Sequence, residues 1–321
     1  MTENPDKSDS DPKIPVPAPP QARKEPLPCR QPKPAAEDPE APERVRRIMA
    51  SPSYRLAALD ADFLQGDHTR GLRLLLDYLK PELTLEQHGV VHTIVVFGST
   101  RICEPAEARR RRDEACARLA AAGGPKAAPD LAARFAVAER IVAKSRYYDV
   151  ARDFCRLMSE ANAGAEPPTT LVMTGGGPGI MEAANRGAFD AGAQTIGLNI
   201  ALPHEQYPNP YVTPELCFQF HYFALRKLHF LQRARALVAF PGGYGTFDEL
   251  FEVLTLVQTR VMRPIPIILV GREFWRGAVD FDFLVDEGVI AREDRDLFWF
   301  AEDAREIHDS LLAWERAARK E

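Results

Sequence analysis

Cysteine is scarce. The five residues, Cys29, Cys103, Cys116, Cys155 and Cys217, are scattered through 321 positions, odd in number and without the paired spacing of a metal site. That pattern does not suit a disulfide framework and points to a reducing, cytoplasmic setting. Long apolar runs are missing too: none approaches the roughly 20 residues needed to cross a bilayer. The opening stretch "MTENPDKSDSDPK" lacks the hydrophobic segment of a secretory signal, so no membrane partner is expected. Neither sign of charge dominates, the formal balance being −5. Mild acidity argues against broad binding to a nucleic-acid backbone, while leaving room for one small basic pocket. Lysine is almost absent from the second half, where Lys227 stands alone between Lys144 and Lys320. No glycine turn therefore carries the lysine of a Walker A loop. The dinucleotide fingerprint G-x-G-x-x-G is also unmet, because Gly175-x-Gly177 runs on as Pro178, Gly179, Ile180. Neither an NTP-driven motor nor a nicotinamide dehydrogenase is the direct reading.

What is present divides the chain in two. Residues 1–43 hold twelve of the 27 prolines, mixed with Ala, Lys, Glu and Asp, and offer almost nothing to build a core. A disordered tail of polyproline character is expected there, with a single globular domain over 44–321. Helical spacing of apolar residues marks "SYRLAALDADFLQG" and "HTRGLRLLLDYLKPEL". "VHTIVVFGST" reads as a buried strand ending at Gly98. A long helical region follows from Glu104 to about Ala163, with a break at Gly124–Pro125. Its run Arg109–Arg112 is flanked by Glu107, Asp113 and Glu114, so a solvated helix face is favoured over a nucleic-acid contact. Strands and helices then alternate to the C-terminus. The fold class expected is α/β: a Rossmann-like parallel sheet flanked by helices, with extra helices at the N-terminal end. Ligands in such sheets bind beyond the carboxyl ends of the strands.

Three strands end in glycine turns: "VVFGSTR", "VMTGGGPGIME" and "VAFPGGYGTFDE". Glycine lets a backbone approach a ligand closely, and the helix that follows offers free N–H groups and a positive dipole end. Gly98 and Ser99, Gly175, Gly176 and Gly177, and Pro241, Gly242, Gly243, Tyr244, Gly245 and Thr246 are thus candidates for a phosphate cradle. Strand-to-helix turns need glycine for structural reasons as well, so a single turn says little. The second and third turns are each followed within one helical turn by a glutamate, Glu182 and Glu249. A carboxylate near a helix start can serve the dipole alone; for Glu249 a functional role is favoured. Arg226 and Lys227 lie early in another helix at the same edge, where the dipole disfavours cations. An anion should compensate them, either Glu249 or a phosphate.

These residues resemble the LONELY GUY (LOG) family, often mislabelled as lysine decarboxylase-like proteins. Its P-G-G-x-G-T-x-x-E motif is met by Pro241, Gly242, Gly243, Gly245, Thr246 and Glu249, its R-K pair by Arg226 and Lys227, and its G-G-G turn by Gly175–Gly177. "TGGGPGIMEAANRGA" and "LPHEQYPNPYVT" resemble the longer bacterial branch, and the likeness spans roughly Thr93 to Ala301. It implies hydrolysis of a nucleoside 5′-monophosphate, a cytokinin ribotide or AMP, to free base and ribose 5-phosphate by a homo-oligomer, dimer or larger. Between Arg101 and Tyr147 the chain carries a helical stretch that the family lacks. Phe223 and Ala224 replace the Met-His that plant members place before the R-K pair, and Glu182 replaces a glycine. Base preference is therefore not carried over.

On this reading Glu249 stabilises positive charge on the ribose, or serves as base or nucleophile, while Arg226 orients it or contacts substrate. Glu182 and Lys227 are placed with the substrate-binding residues. No metal or cofactor is required, and His204, His221 and His229 form no ligand pattern. Two rivals stand beside this reading: pyridoxal-dependent decarboxylation through Lys227, and a catalytically inactive nucleotide-binding or scaffold protein.

Overall fold

The computed structural model describes residues 31–162, 170–203 and 207–318. The first thirty residues of the expected tail, and His204, lie outside the described residues. The chain clusters into two compact units, Met1–Arg70 and Gly71–Glu321.

In the first unit, α1 (Ala41–Met49) begins just inside the expected tail, with Pro42 at its start. The stretch "SYRLAALDADFLQG" was expected to be helical throughout. It forms two 3₁₀ turns, Pro52–Tyr54 and Ala57–Leu59, and the single-turn helix α2 (Ala61–Gln65). The interruption has a local cause. Asp60 is extended, and its carboxylate accepts from the Phe63 N–H at 3.2 Å, which starts a new helix instead of continuing an old one.

The second unit follows α3 (Arg70–Gln87) with an entirely parallel seven-stranded sheet. Its strands are β1 (His92–Phe97), β2 (Thr170–Thr174), β3 (Thr195–Ile200), β4 (Cys217–Phe220), β5 (Ala234–Ala239), β6 (Ile267–Val270) and β7 (Trp299–Ala301), in spatial order β4-β3-β2-β1-β5-β6-β7. The helical region after β1 divides into α4 (Pro105–Ala121), α5 (Pro129–Lys144) and α6 (Arg146–Ala161). The first division falls at Gly123 and Gly124, both at positive φ, where a side chain would be strained. The remaining helices are α7 (Ile180–Asp190), α8 (Phe223–Gln232), α9 (Tyr244–Gln258), α10 (Arg272–Ala278), α11 (Phe281–Asp286) and α12 (Ala304–Ala318). The stretch "FWRGAVDFDFLVDEG" could have run on as a single helix. Asp280 instead caps the second of two short helices by accepting from Phe283 N–H.

Covered on both faces, the strands are buried nearly throughout, which is why they read as apolar runs rather than as alternations. Val95, Phe97, Met173, Leu198 and Leu237 pack on one face with Phe230, Leu250, Val253 and Trp275. Ile94, Val96, Val172, Val238 and Ile268 pack on the other with Tyr148, Phe154, Ile180, Ile307 and Leu311. The chain walks outward from β1 through β2 and β3 to β4, then returns to place β5 against the other side of β1. Beyond the carboxyl ends of β1 and β5 the connections diverge and leave a crevice.

Candidate active site

A cavity of about 610 Å³ occupies that crevice. Its wall includes Gly98 and Ser99 after β1, Pro241 through Thr246 after β5, and Arg226 and Glu249 from α8 and α9. α9 starts at Tyr244, so the N–H groups of its first turn, which have no acceptor within the helix, lie in this wall. Thr246 is buried among them. A Cβ on Gly242 would collide with the Thr246 side chain, so glycine is required for the turn to close over that threonine.

The three glycine turns interlock through Ser99. Its N–H donates to the Pro241 carbonyl at 3.0 Å, and its own carbonyl accepts from Ile180 N–H at 3.1 Å. A Cβ at Gly98 would come within 2.6 Å of Ile180, and one at Gly179, where φ is +75°, would strike the backbone of Ser99 and Thr100. The turn after β2 is held from below by a buried polar cluster. Thr174 Oγ1 donates to Asn185 Oδ1 at 2.7 Å and accepts from Gly176 N–H at 2.9 Å. Asn209 donates its side-chain amide to the Gly177 carbonyl at 3.0 Å and its backbone N–H to the Gly176 carbonyl at 2.8 Å. Gly175, Gly176 and Gly177 are accordingly not among the residues lining the cavity. Gly175 stands behind Arg226, where a Cβ would collide with Nη2.

Arg226 and Glu249 face each other in the wall, Nη1 and Oε1 being 3.6 Å apart, with both side chains largely buried. Arg226 Nε donates to the Leu198 carbonyl at 2.7 Å, and its guanidinium lies 5.0 Å from the centre of the Phe230 ring. Burial lowers its pKa, opposed by the charge of Glu249. Glu249 is shifted the other way. Burial pushes its carboxyl up to about 7, and the nearby Arg226 only partly offsets this. The separation exceeds a good hydrogen bond, so the pair attracts without fully compensating the lost water. The result is a carboxyl poised near neutrality inside a concave, cationic pocket, a combination suited to proton transfer or to stabilising developing positive charge.

The other expected site residues lie elsewhere. Lys227 points to the outer side of α9, with Nζ 2.7 Å from Asp248 and 3.5 Å from Glu252. Burial lowers its pKa, but the hydrogen bond to Asp248 and both carboxylate charges outweigh this, and the net shift is upward. Glu182 accepts from Tyr148 Oη at 2.8 Å, away from the cavity lining. Tyr148 also meets Arg186, which pairs with Glu104. The buried His229 has its Nε2 3.1 Å from the Tyr78 carbonyl, and its Nδ1 lies 3.9 Å from the Glu82 carboxylate, too far for a hydrogen bond. Among the described residues, no three His, Cys, Asp or Glu side chains cluster as a metal site would require, and no helix is long and apolar enough to cross a membrane.

Arg101 and Met181 lie within the quoted glycine-turn motifs but were not singled out as site residues, and Ile102, Ile141, Lys144, Ile200, Leu202 and Phe274 lie outside those motifs; all are part of the wall. Ile200 and Leu202 follow from the rule that ligands gather at strand ends. Ile141 and Lys144 come from the stretch between Arg101 and Tyr147, where nothing but helical periodicity was available.

The fold and the cavity together define an α/β protein with a concave cleft at the switch point of a parallel sheet. Comparison with known proteins narrows the class. Residues 181–311 match the family described as "Possible lysine decarboxylase". The cytokinin riboside 5′-monophosphate phosphoribohydrolase LOG3 of Arabidopsis thaliana is 30% identical over 186 residues, covering 55% of this chain and 81% of that protein. The corresponding LOG enzyme of Oryza sativa subsp. japonica is 33% identical over 141 residues, covering 43% and 57%. The chain belongs to the LOG family. Among solved structures, the molybdenum cofactor carrier protein of Chlamydomonas reinhardtii aligns at 21% identity and a TM-score of 0.36, over 52% of this chain and 89% of that one.

Proposed function

We infer that the protein hydrolyses the N-glycosidic bond of a nucleoside 5′-monophosphate, AMP or a cytokinin ribotide, releasing the free base and ribose 5-phosphate. The observation that carries this reading is the buried Glu249, poised near pH 7 beside Arg226, in the same wall as the glycine turn and the start of α9. The 5′-phosphate lies at that helix start, where backbone N–H groups and the Thr246 hydroxyl receive it. Anchoring the phosphate sets the ribose beside Glu249, so binding energy remote from the reacting bond orients it.

As the bond to the base lengthens, positive charge spreads over the ribose ring and the Glu249 carboxylate stabilises it. The base leaves with the bonding pair and takes up a proton from solvent, matched by the proton that water later loses through Glu249 to solvent. Water adds at the anomeric carbon and gives its proton to Glu249. Arg226 holds the carboxylate ionised and oriented. A decarboxylase route through a Schiff base draws no support from Lys227, which is ion-paired and stabilised in its protonated form.

The reading includes a cytoplasmic setting, a small-molecule substrate and a homo-oligomer, dimer or larger; exposed Leu72, Leu75 and Leu76 on α3 supply apolar surface for assembly. The test is release of ribose 5-phosphate from a panel of nucleoside monophosphates, each run beside the matching nucleoside. Monophosphates should be turned over far faster. Equal turnover of AMP and adenosine would refute the role given to the phosphate.

A further inference from the structure

The stretch between Arg101 and Tyr147 reaches the cavity. Ile141 and Lys144, three residues apart in the last turn of α5, both line it, as side chains at i and i+3 on one helix face must when that face looks inward. The position of Lys144 is firmly set. Ser145, next in the chain, is buried and donates its hydroxyl to the Val142 carbonyl at 2.7 Å. Tyr147 and Tyr148, a few residues on, are buried in the core under the sheet.

Charge on the cavity wall is unbalanced. Arg101, Lys144 and Arg226 are its cations and Glu249 its carboxylate. Glu249 is matched by Arg226. Neither the Lys144 side chain nor that of Arg101 has a hydrogen bond or ion pair among the described residues, although Lys144 is half-buried. Two positive charges are left unmatched, the complement of a phosphate dianion. A lysine near a helix C-terminus also complements the dipole, but that preference does not require it to face a cavity. Arg140, one turn earlier on α5, stands exposed and away from the cavity lining.

We propose that Lys144, with Arg101, binds the substrate phosphate together with the start of α9, so that the helical stretch between β1 and Tyr147 is part of the substrate site. This rests on the phosphoribohydrolase reading for its substrate, but not for its test. Ribose 5-phosphate binding is measured by titration calorimetry at low salt, independently of turnover. Hydrogen bonds to charged groups are among the stronger ones, so Lys144→Gln should weaken ribose 5-phosphate about tenfold. Lys144→Arg should restore most of the affinity, Arg101→Gln should resemble Lys144→Gln, and Arg140→Gln should bind like the parent protein. With a hydrolysed substrate, Lys144→Gln should raise KM for the monophosphate by a similar factor, hold kcat, and leave the matching nucleoside unaffected. Unchanged ribose 5-phosphate affinity in Lys144→Gln overturns the proposal. So does an equal loss in Arg140→Gln, or failure of the parent protein to bind ribose 5-phosphate. A protein that binds ribose 5-phosphate in this pattern yet hydrolyses no monophosphate would refute the hydrolysis reading alone.

Discussion

Replacing Glu249 with glutamine removes one charge while keeping shape and hydrogen-bonding capacity. The size of the effect follows from position. A unit charge about 4 Å from an opposite unit charge, at an effective dielectric near 20, is stabilised by about 4 kcal/mol. The ribose ring carries only part of a full charge in the transition state, so about 3 kcal/mol is at stake, on the order of 100-fold in kcat. Affinity for ribose 5-phosphate should change little, because the phosphate lies at the glycine turn. The carboxyl is pushed up to about 7, so kcat/KM of the parent protein should rise roughly tenfold per pH unit up to about pH 7 and then level, while Glu249→Gln should lose that limb.

Stability should move the opposite way. A carboxyl whose folded pKa lies above its unfolded one favours the fold when protonated. Its contribution is full below about pH 4.5 and is lost as pH rises through 7. Glu249→Gln should therefore melt several degrees higher than the parent protein at pH 8, through about 2 to 3 kcal/mol, and nearly level with it at pH 4. Rapid-quench turnover and melting curves at three pH values decide the matter. A variant with near-normal turnover, or one that keeps the acid limb at pH 7, removes Glu249 from the role.

Gly175→Ala should act through Arg226: the new Cβ collides with Nη2 and comes within 2.8 Å of Met181 Sδ. Turnover should fall at least tenfold, with a stability loss of about 1–3 kcal/mol, and normal kcat in a folded variant would show that Arg226 need not stand where it does. Asp248→Asn breaks the half-exposed pair with Lys227 and removes one of the weaker charges acting on Glu249, so melting should shift by less than about 1 kcal/mol and turnover by no more than about threefold. A larger loss than in Glu249→Gln would transfer the catalytic assignment away from Glu249.

Much of this architecture was legible because buried parallel strands announce themselves as apolar runs, and because each glycine turn punctuates a strand and starts a helix. The P-G-G-x-G-T-x-x-E run placed Thr246 and Glu249 on one helix one turn apart, and both stand in the cavity wall. Local pattern failed where tertiary contacts decide. Asp60 and Asp280 restart helices by capping, and periodicity alone cannot tell a cap from a solvated acid. Glu182 and Lys227 sit at the right sheet edge but point at Tyr148 and Asp248, because a helix sends neighbouring residues about 100° apart. Lys144 was invisible for the same reason: which face of α5 meets the cavity depends on how Tyr147 and Tyr148 bury the next helix.

The three turns then divide their labour. The turn after β5 presents backbone N–H groups to the cavity, and the turn after β1 ties the other two together through Ser99. The turn after β2 never reaches the cavity wall, yet it governs the acid–base character within it. Gly175 clears the space that Arg226 fills, the Leu198 carbonyl and the Phe230 ring fix the guanidinium there, and that charge opposes the burial of Glu249. Displace Arg226 and the largest charge opposing the desolvation is lost, so the carboxyl must titrate still higher and spend more of its time protonated at pH 7. The ionisation of Glu249 is thus tuned, through Arg226, by a glycine in the turn after a different strand, which is why that turn must be small although it stands outside the cavity wall.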